Sequence, residues 1–342
     1  MGGMARGARL GSLGNRLPNV YEITRGPHPE FPDLEIVTLH SPANVTATFV
    51  PKAGMVCSSM THDGEEMLGQ RYGLAGYLET GRTFGVPILA PWANRLGKMA
   101  YAVVHEGGGV RRIDVNPETP NLRVDPYGQP IHGLLRGSSD WDIMEVGASS
   151  EEAWIMARLV FDQKRIDFPA FPFEHHIELK VTLRASSLTF STAIIATGQD
   201  EVPIAFGWHP YLSIPGLERS EWDVYIPFTH RCPLDSTKLP TGTREVVEPI
   251  VGKLGDRPLD DLYADVANGT TAYIQGNGRR MSIRFDLGYD WAILYGPPHR
   301  DHICLEPMTA ASDPFSGQDL MEVVPRGGIF RAAFTISVNR TS

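Results

Sequence analysis

Residues 176–183 place Ile177, Leu179, Val181 and Leu183 at every second position, with Glu178, Lys180 and Thr182 between them. A period of two sends the apolar set to one face of a strand and the polar set to the other. A short turn at Ala185-Ser186-Ser187 follows, and residues 188–195 read as a second strand, so the pair predicts a hairpin. Residues 271–274 and 281–285 flank Gln275-Gly276-Asn277-Gly278, a second hairpin signal, and residues 291–295 add the next strand. No long segment shows helical periodicity with caps. Residues 80–85 are expected to hold a short turn. From Leu34 onward, short apolar or alternating runs sit between Gly, Pro, Asn and Asp clusters. No repeat of solenoid or propeller period interrupts them. These constraints predict an all-β protein built as a large sandwich or barrel.

A chain of 342 residues is long enough for two average domains, but no composition shift marks a linker. The expectation is a flexible leader over residues 1–32, rich in Gly, Arg and Pro, and a single domain over residues 33–342. The net charge of −9 argues against a nucleic-acid or anionic-membrane partner, which would require a basic face. Residues 1–20 lack the apolar core of a signal peptide, and no apolar run approaches a membrane span. Cys57, Cys232 and Cys304 have no CxxC spacing. They predict reduced thiols in a cytoplasmic protein and neither a disulfide framework nor a zinc site. The sequons at Asn44, Asn268 and Asn339 are chance matches on that reading.

Chemistry concentrates in a few segments. In Cys304-Leu305-Glu306-Pro307-Met308-Thr309 a carboxylate lies among apolar neighbours, where carboxylates are rarely found unless paired or used. Phe206-Gly207-Trp208-His209-Pro210-Tyr211 holds an imidazole between Trp208 and Pro210. One carboxylate and one imidazole supply the parts for general acid–base chemistry near neutral pH. The run from Phe84 to Arg95 is stiffened by Pro87 and Pro91, and Arg95 ends it with a donor fork suited to several oxygens. His132-Gly133 allows close backbone approach, and Leu259-Asp260-Asp261-Leu262-Tyr263 brings two carboxylates between apolar residues. Read alone, each has a plain structural explanation: a turn arginine, a satisfied histidine, a surface acidic pair. There is no HExxH, Walker A, GxGxxG or GxSxG, so metal, phosphoryl, nicotinamide and serine-hydrolase chemistry lack support.

Taken together and in order, these segments resemble the aldose 1-epimerase (galactose mutarotase) family. The matching residues are Gly85-Val86-Pro87-Ile88-Leu89-Ala90-Pro91-Trp92-Ala93-Asn94-Arg95, His132-Gly133, Gly207-Trp208-His209-Pro210-Tyr211, Asp260-Asp261-Leu262-Tyr263, the Tyr295-Gly296-Pro297-Pro298 turn and Leu305-Glu306-Pro307-Met308-Thr309. The resemblance implies a large antiparallel β-sandwich, the galactose mutarotase-like supersandwich. It also implies interconversion of the α and β anomers of a free monosaccharide, a hexose, without cofactor or metal. By the same resemblance Glu306 is the catalytic base and His209 the acid. Arg95, His132 and one of the adjacent aspartates, Asp260 in preference to Asp261, hold the sugar hydroxyls; Asn94 is placed with them, and Trp208, like Trp92, is expected either to cover the apolar face of the pyranose or to pack in the core. The chain departs from the family at Leu212, Ser213 and Gly296, which leaves the identity of the sugar open. His132-Gly133-Leu134-Leu135-Arg136 is similar to a motif of hexose-6-phosphate mutarotases, and there Arg136 would meet a phosphate. That activity, a non-catalytic sugar-binding module, and a lyase or hydrolase on the same fold are the competing readings.

Overall fold

Both predicted hairpins form in the computed structural model, which describes residues 20–104, 108–319 and 321–341. His175–Arg184 pairs with Ser187–Ala196 through a two-residue turn, with Ala185 at φ 49°. Thr271–Gly276 pairs with Arg279–Leu287 across Asn277 (φ 46°) and Gly278 (φ 71°). Two successive positive φ values form one of the tight turns that match the twist of a hairpin, and Asn-Gly meets them with the least strain.

These hairpins belong to a nine-stranded antiparallel sheet. The late strand Ile329–Arg340 lies between Ser187–Ala196 and Arg279–Leu287 and joins the two hairpins into one surface. An eight-stranded sheet carries Trp291–Gly296 and Ile303–Met308 near its middle, with Leu259–Ala264 on one side and Gly207–Trp208 and Ile88–Leu89 on the other. A five-stranded sheet begins at Glu22–Pro27. Ile177, Val181, Phe190 and Phe334 of the first sheet, Trp208, Ile303 and Leu305 of the second, and Val37, Leu39 and Phe49 of the third share one buried cluster. Each such side chain contributes about 1.5–3 kcal/mol by leaving water. Phe190 and Phe334 stack with centroids 4.8 Å apart and planes 2° apart, and Trp208 leans on both at 5.1 and 5.7 Å.

At its centre the eight-stranded sheet is buried on both faces. Along Ile303–Met308 every residue is buried. Ile303 and Leu305 enter the main cluster, whereas Met308 joins a second one with Leu89, Leu262, Trp291 and Ile293. Cys304 and Glu306 therefore face away from the main core, on the side of Met308.

Three expectations need correction. The leader does not extend to residue 32, because Glu22–Pro27 pairs in full with Glu35–His40; residues 1–19 lie outside the described residues. A helix, Gly73–Thr80, ends where only a turn was expected, at Gly81 with φ 67°. It is eight residues long, contains Gly73 and Gly76, and has no side-chain cap at Tyr72, so none of the usual helix signals precedes it. The turn at 185–187 is shorter than read, since Ser187 is already in the strand. Among the described residues no helix is long and apolar enough to cross a membrane.

Candidate active site

Strand register decides which polar side chains meet. Glu306 lies opposite Ile293, Cys304 opposite Tyr295, and Tyr295 opposite Asp260. Residues directly opposite share a face, so Glu306, Cys304, Tyr295 and Asp260 project together. Asp261 lies opposite Leu294, which faces the main core, and its carboxylate is 3.8 Å from Arg231 Nη1. The pleat thus selects Asp260 between the two adjacent aspartates.

His209 sits between two short strands, Gly207–Trp208 and Tyr211–Leu212, that both pair with Ile303–Met308. Its amide donates to the Pro87 carbonyl (3.1 Å), and the Tyr211 amide donates to that of Gly85 (2.9 Å), which draws the residue 84–95 segment alongside. His132 is fixed by a different device. His132 and Gly133 both have left-handed backbones, φ 68° and 66°. The His132 amide donates to Asn94 O (2.9 Å), and the amides of Leu134 and Leu135 both reach Ala90 O (2.7 and 3.0 Å). A Cβ on Gly133 would stand 2.1 Å from that same carbonyl oxygen. Gly133→Ala is accordingly expected to cost about 3 kcal/mol or more and to displace His132. Chemical denaturation would check this, and an unaltered midpoint would contradict it.

These elements enclose a cavity of about 190 Å³, lined by Asn94, Arg95, His132, His209, Asp260 and Glu306 among others. Six of the seven expected site residues are therefore brought together. The seventh is not: Trp208 is fully buried against the stacked Phe190 and Phe334, on the opposite side of the backbone from His209, and does not line the cavity. Arg136 is a second correction. It is buried, donates Nη1 to the Gly81 carbonyl, and does not line the cavity. Arg71, Thr83, Arg123, Asp125, Tyr211, Ile293 and Tyr295 also line the cavity, with Pro126 and Ile131. Of these, Arg71, Arg123 and Asp125 lie in no segment that the sequence had singled out.

At the cavity floor His209 Nε2 is 3.2 Å from Glu306 Oε1. The two residues are 5% and 3% exposed, so water contributes little to their charges. The Tyr211 ring lies flat on His209 at 4.5 Å and 3°, and His132 meets it edge-on at 5.4 Å. Tyr211 Oη accepts from Arg71 Nη1 (2.8 Å), shares a hydrogen bond with Thr83 Oγ1 (2.7 Å), and lies 3.4 Å from His209 Nε2. Arg95 donates Nε to Asp125 (2.8 Å) and Nη1 to Asn94 Oδ1 (3.0 Å), and Asp260 is held by Lys238 Nζ at 2.8 Å.

Burial pushes Glu306 well above the usual carboxylate range, and the nearby charge of Asp260 adds to it against Arg95. Burial pulls His209 well below the usual imidazole value, with Arg71 and His302 acting in the same direction. His132 is pulled down by burial and then by His209. Burial therefore favours a neutral pair that holds one proton on Glu306 and leaves Nε2 of His209 free to accept it. Such a pair titrates as a unit. Donor atoms of His209, Cys304 and Glu306 all lie within 4.8 Å of one another, a nitrogen–sulfur–oxygen set capable of holding a metal ion.

A family model described as aldose 1-epimerase matches residues 35–337 of the chain. The fold is similar to that of a galactose mutarotase-like protein from Clostridium acetobutylicum: TM-score 0.79, 17% identity, covering 95% of this chain and 100% of that one. It is also similar to galactose 1-epimerase from Lactobacillus acidophilus NCFM, with TM-score 0.73 and 15% identity over 94% of this chain and 99% of that one. An aldose epimerase homologue from C. elegans matches at TM-score 0.67 and 16% identity, over 88% and 97%. A comparison with curated protein sequences finds no match. The large antiparallel β-sandwich expected from the sequence is thus a galactose mutarotase-like fold.

Proposed function

We propose, from the premise that the chain belongs to the aldose 1-epimerase family, that it interconverts the α and β anomers of a hexose by acid–base opening and closure of the pyranose ring. The observation that carries this reading is the buried contact of 3.2 Å between His209 and Glu306 on the floor of a cavity. Mutarotation needs one proton removed from the C1 hydroxyl and one delivered to the ring oxygen, and both oxygens are attached to the same carbon. Two groups already in contact are spaced for such a pair of atoms.

In this mechanism Glu306 takes the proton from O1 while the imidazolium of His209 gives one to the ring oxygen. The C1–ring oxygen bond breaks as C1=O1 forms. The aldehyde turns about C1–C2 and closes on its other face, with both protons returning. Opening leaves neutral Glu306 and neutral His209, the protonation pattern that burial favours. From the resting neutral pair the proton must first pass from Glu306 to His209 across their 3.2 Å contact, a cost that ring opening then recovers. Each group contributes about 10²–10⁴-fold as a general acid or base. Arg95, Asn94, His132 and Asp260 orient the sugar hydroxyls. The stacked ring of Tyr211 fixes the plane of the His209 imidazole. A pure sugar-binding module has no use for the buried pair. The buried free thiols Cys57, Cys232 and Cys304 support a cytoplasmic location.

Polarimetry of freshly dissolved α-D-glucose and α-D-galactose, with and without the protein, tests the reading; no acceleration of any aldose would refute it. Its pH dependence is a further expected result. The active pair holds one proton. It is lost on the acid side when His209 and Glu306 are both protonated, and His209 is depressed below its ordinary 6.5. It is lost on the alkaline side when the last proton leaves a pair in which Glu306 is raised above its ordinary 4.5. The acid limb of kcat/KM is therefore expected below pH 6.5. An acid limb at or above that value would contradict the assignment.

A further inference from the structure

The two sides of the cavity differ in how their charges are balanced. Around Arg95 everything is matched: its Nε holds Asp125, and Asp125 also accepts from the amides of Tyr127 (2.8 Å) and Gln129 (3.1 Å). Lys238 is matched by Asp260 at 2.8 Å. Around Tyr211 the balance is absent. Arg71 donates Nη1 to the Tyr211 hydroxyl (2.8 Å) and to the Thr83 carbonyl (3.2 Å), and its buried Nε has no acceptor. Arg123 donates only a long hydrogen bond, 3.4 Å, to the Gly81 carbonyl. Among the described residues neither arginine forms an ion pair, although Asp and Glu outnumber Lys and Arg by 40 to 31 in the chain. Acids are plentiful, and nearly every other cavity charge has one. Two guanidinium groups without counter-ions in a cavity wall are costly unless an anion arrives with the ligand.

Position says where on the sugar that anion belongs. The ring oxygen must meet His209, and C5, bonded to that oxygen, carries C6. The C6 substituent therefore extends from the His209 end of the ring. Arg71 is separated from His209 by one hydroxyl, since Tyr211 Oη is 2.8 Å from Arg71 Nη1 and 3.4 Å from His209 Nε2. From this asymmetry we propose that the substrate is a hexose bearing an anionic group at C6, a phosphate or a carboxylate, received by Arg71 and Arg123. The proposal rests on the assignment of His209 as the acid at the ring oxygen. It differs from the sequence reading, which looked to Arg136 for a phosphate, because Arg136 is committed to the Gly81 carbonyl outside the cavity.

The test compares anomer exchange by NMR for glucose, glucose 6-phosphate and glucuronate with the intact protein. A charged hydrogen-bond partner makes kcat/KM for an anionic sugar about 10- to 100-fold higher than for glucose, and the preference shrinks as salt is raised. The better of the two acids tells phosphate from carboxylate. Equal or lower values for both acids overturn the proposal and leave the mutarotase reading standing. Exchange with none of these three, and none with galactose, defeats the mutarotase reading. Calorimetric titration then decides the binding claim: tighter binding of an acid than of glucose supports the anion site, and no difference overturns it. Arg71→Met and Arg123→Met should each lower the ratio of anionic to neutral kcat/KM. Arg123→Met loses one long hydrogen bond only, so it is the variant expected to fold without loss. A ratio unchanged in that folded variant overturns the role of Arg123.

Discussion

Glu306→Gln is expected to lower kcat/KM for mutarotation by about 10²–10⁴-fold and, at the same time, to raise the melting temperature above neutral pH. The first effect follows from removing the group that accepts the O1 proton while keeping its shape. Because the amide fills the same space and still reaches His209 across 3.2 Å, sugar affinity should survive better than turnover. The second effect follows from linkage. A buried carboxyl whose proton affinity is raised binds that proton more tightly folded than unfolded. The folded state consequently loses stability as pH rises past the ordinary value of 4.5, and goes on losing it up to the raised folded value. Glutamine has no proton to lose, so the variant should escape that part of the decline. Calorimetry across pH 5–9, set beside polarimetry, measures both. Full activity in the variant would end the assignment of Glu306 as the base.

His209→Asn should produce a loss of the same order, about 10²–10⁴-fold in kcat, with a smaller change in KM. The acid and the base act on two oxygens of one carbon in a single ring-opening event, so their losses should not add. The double variant Glu306→Gln with His209→Asn is expected to be little worse than either alone. Additive losses would mean that the two groups serve separate steps. A variant that loses affinity and keeps kcat would make His209 a binding residue. Tyr211 is a poor substitute acid, since burial pushes its hydroxyl well above the ordinary tyrosine value.

The hairpins were legible because Ile177 through Leu183 alternate without a break and Asn277-Gly278 meets a backbone demand few dipeptides satisfy. His209 and Glu306 were legible as a polar residue among apolar neighbours, and the family resemblance supplied their roles. Trp208 was misassigned because its position beside His209 says nothing about side. Strand alternation sends the histidine to the cavity and the tryptophan to Phe190 and Phe334. The same alternation separates Asp260 from Asp261, but only once their register with Tyr295 and Leu294 is known. Arg71 and Arg123 left no trace in the sequence. Neither sits in a patterned segment, and what distinguishes them is the carboxylate that is not beside them.

Ile303–Met308 serves two environments from one backbone, with Leu305 in the main core and Glu306 in the cavity. Deleting or inserting a single residue upstream within this strand would exchange them, placing a carboxylate in hydrocarbon and leucine or proline against His209. Length variation during divergence, or in a library of engineered variants, should therefore be tolerated in the turn at residues 297–301, outside the strands, and eliminated between Ile303 and Glu306.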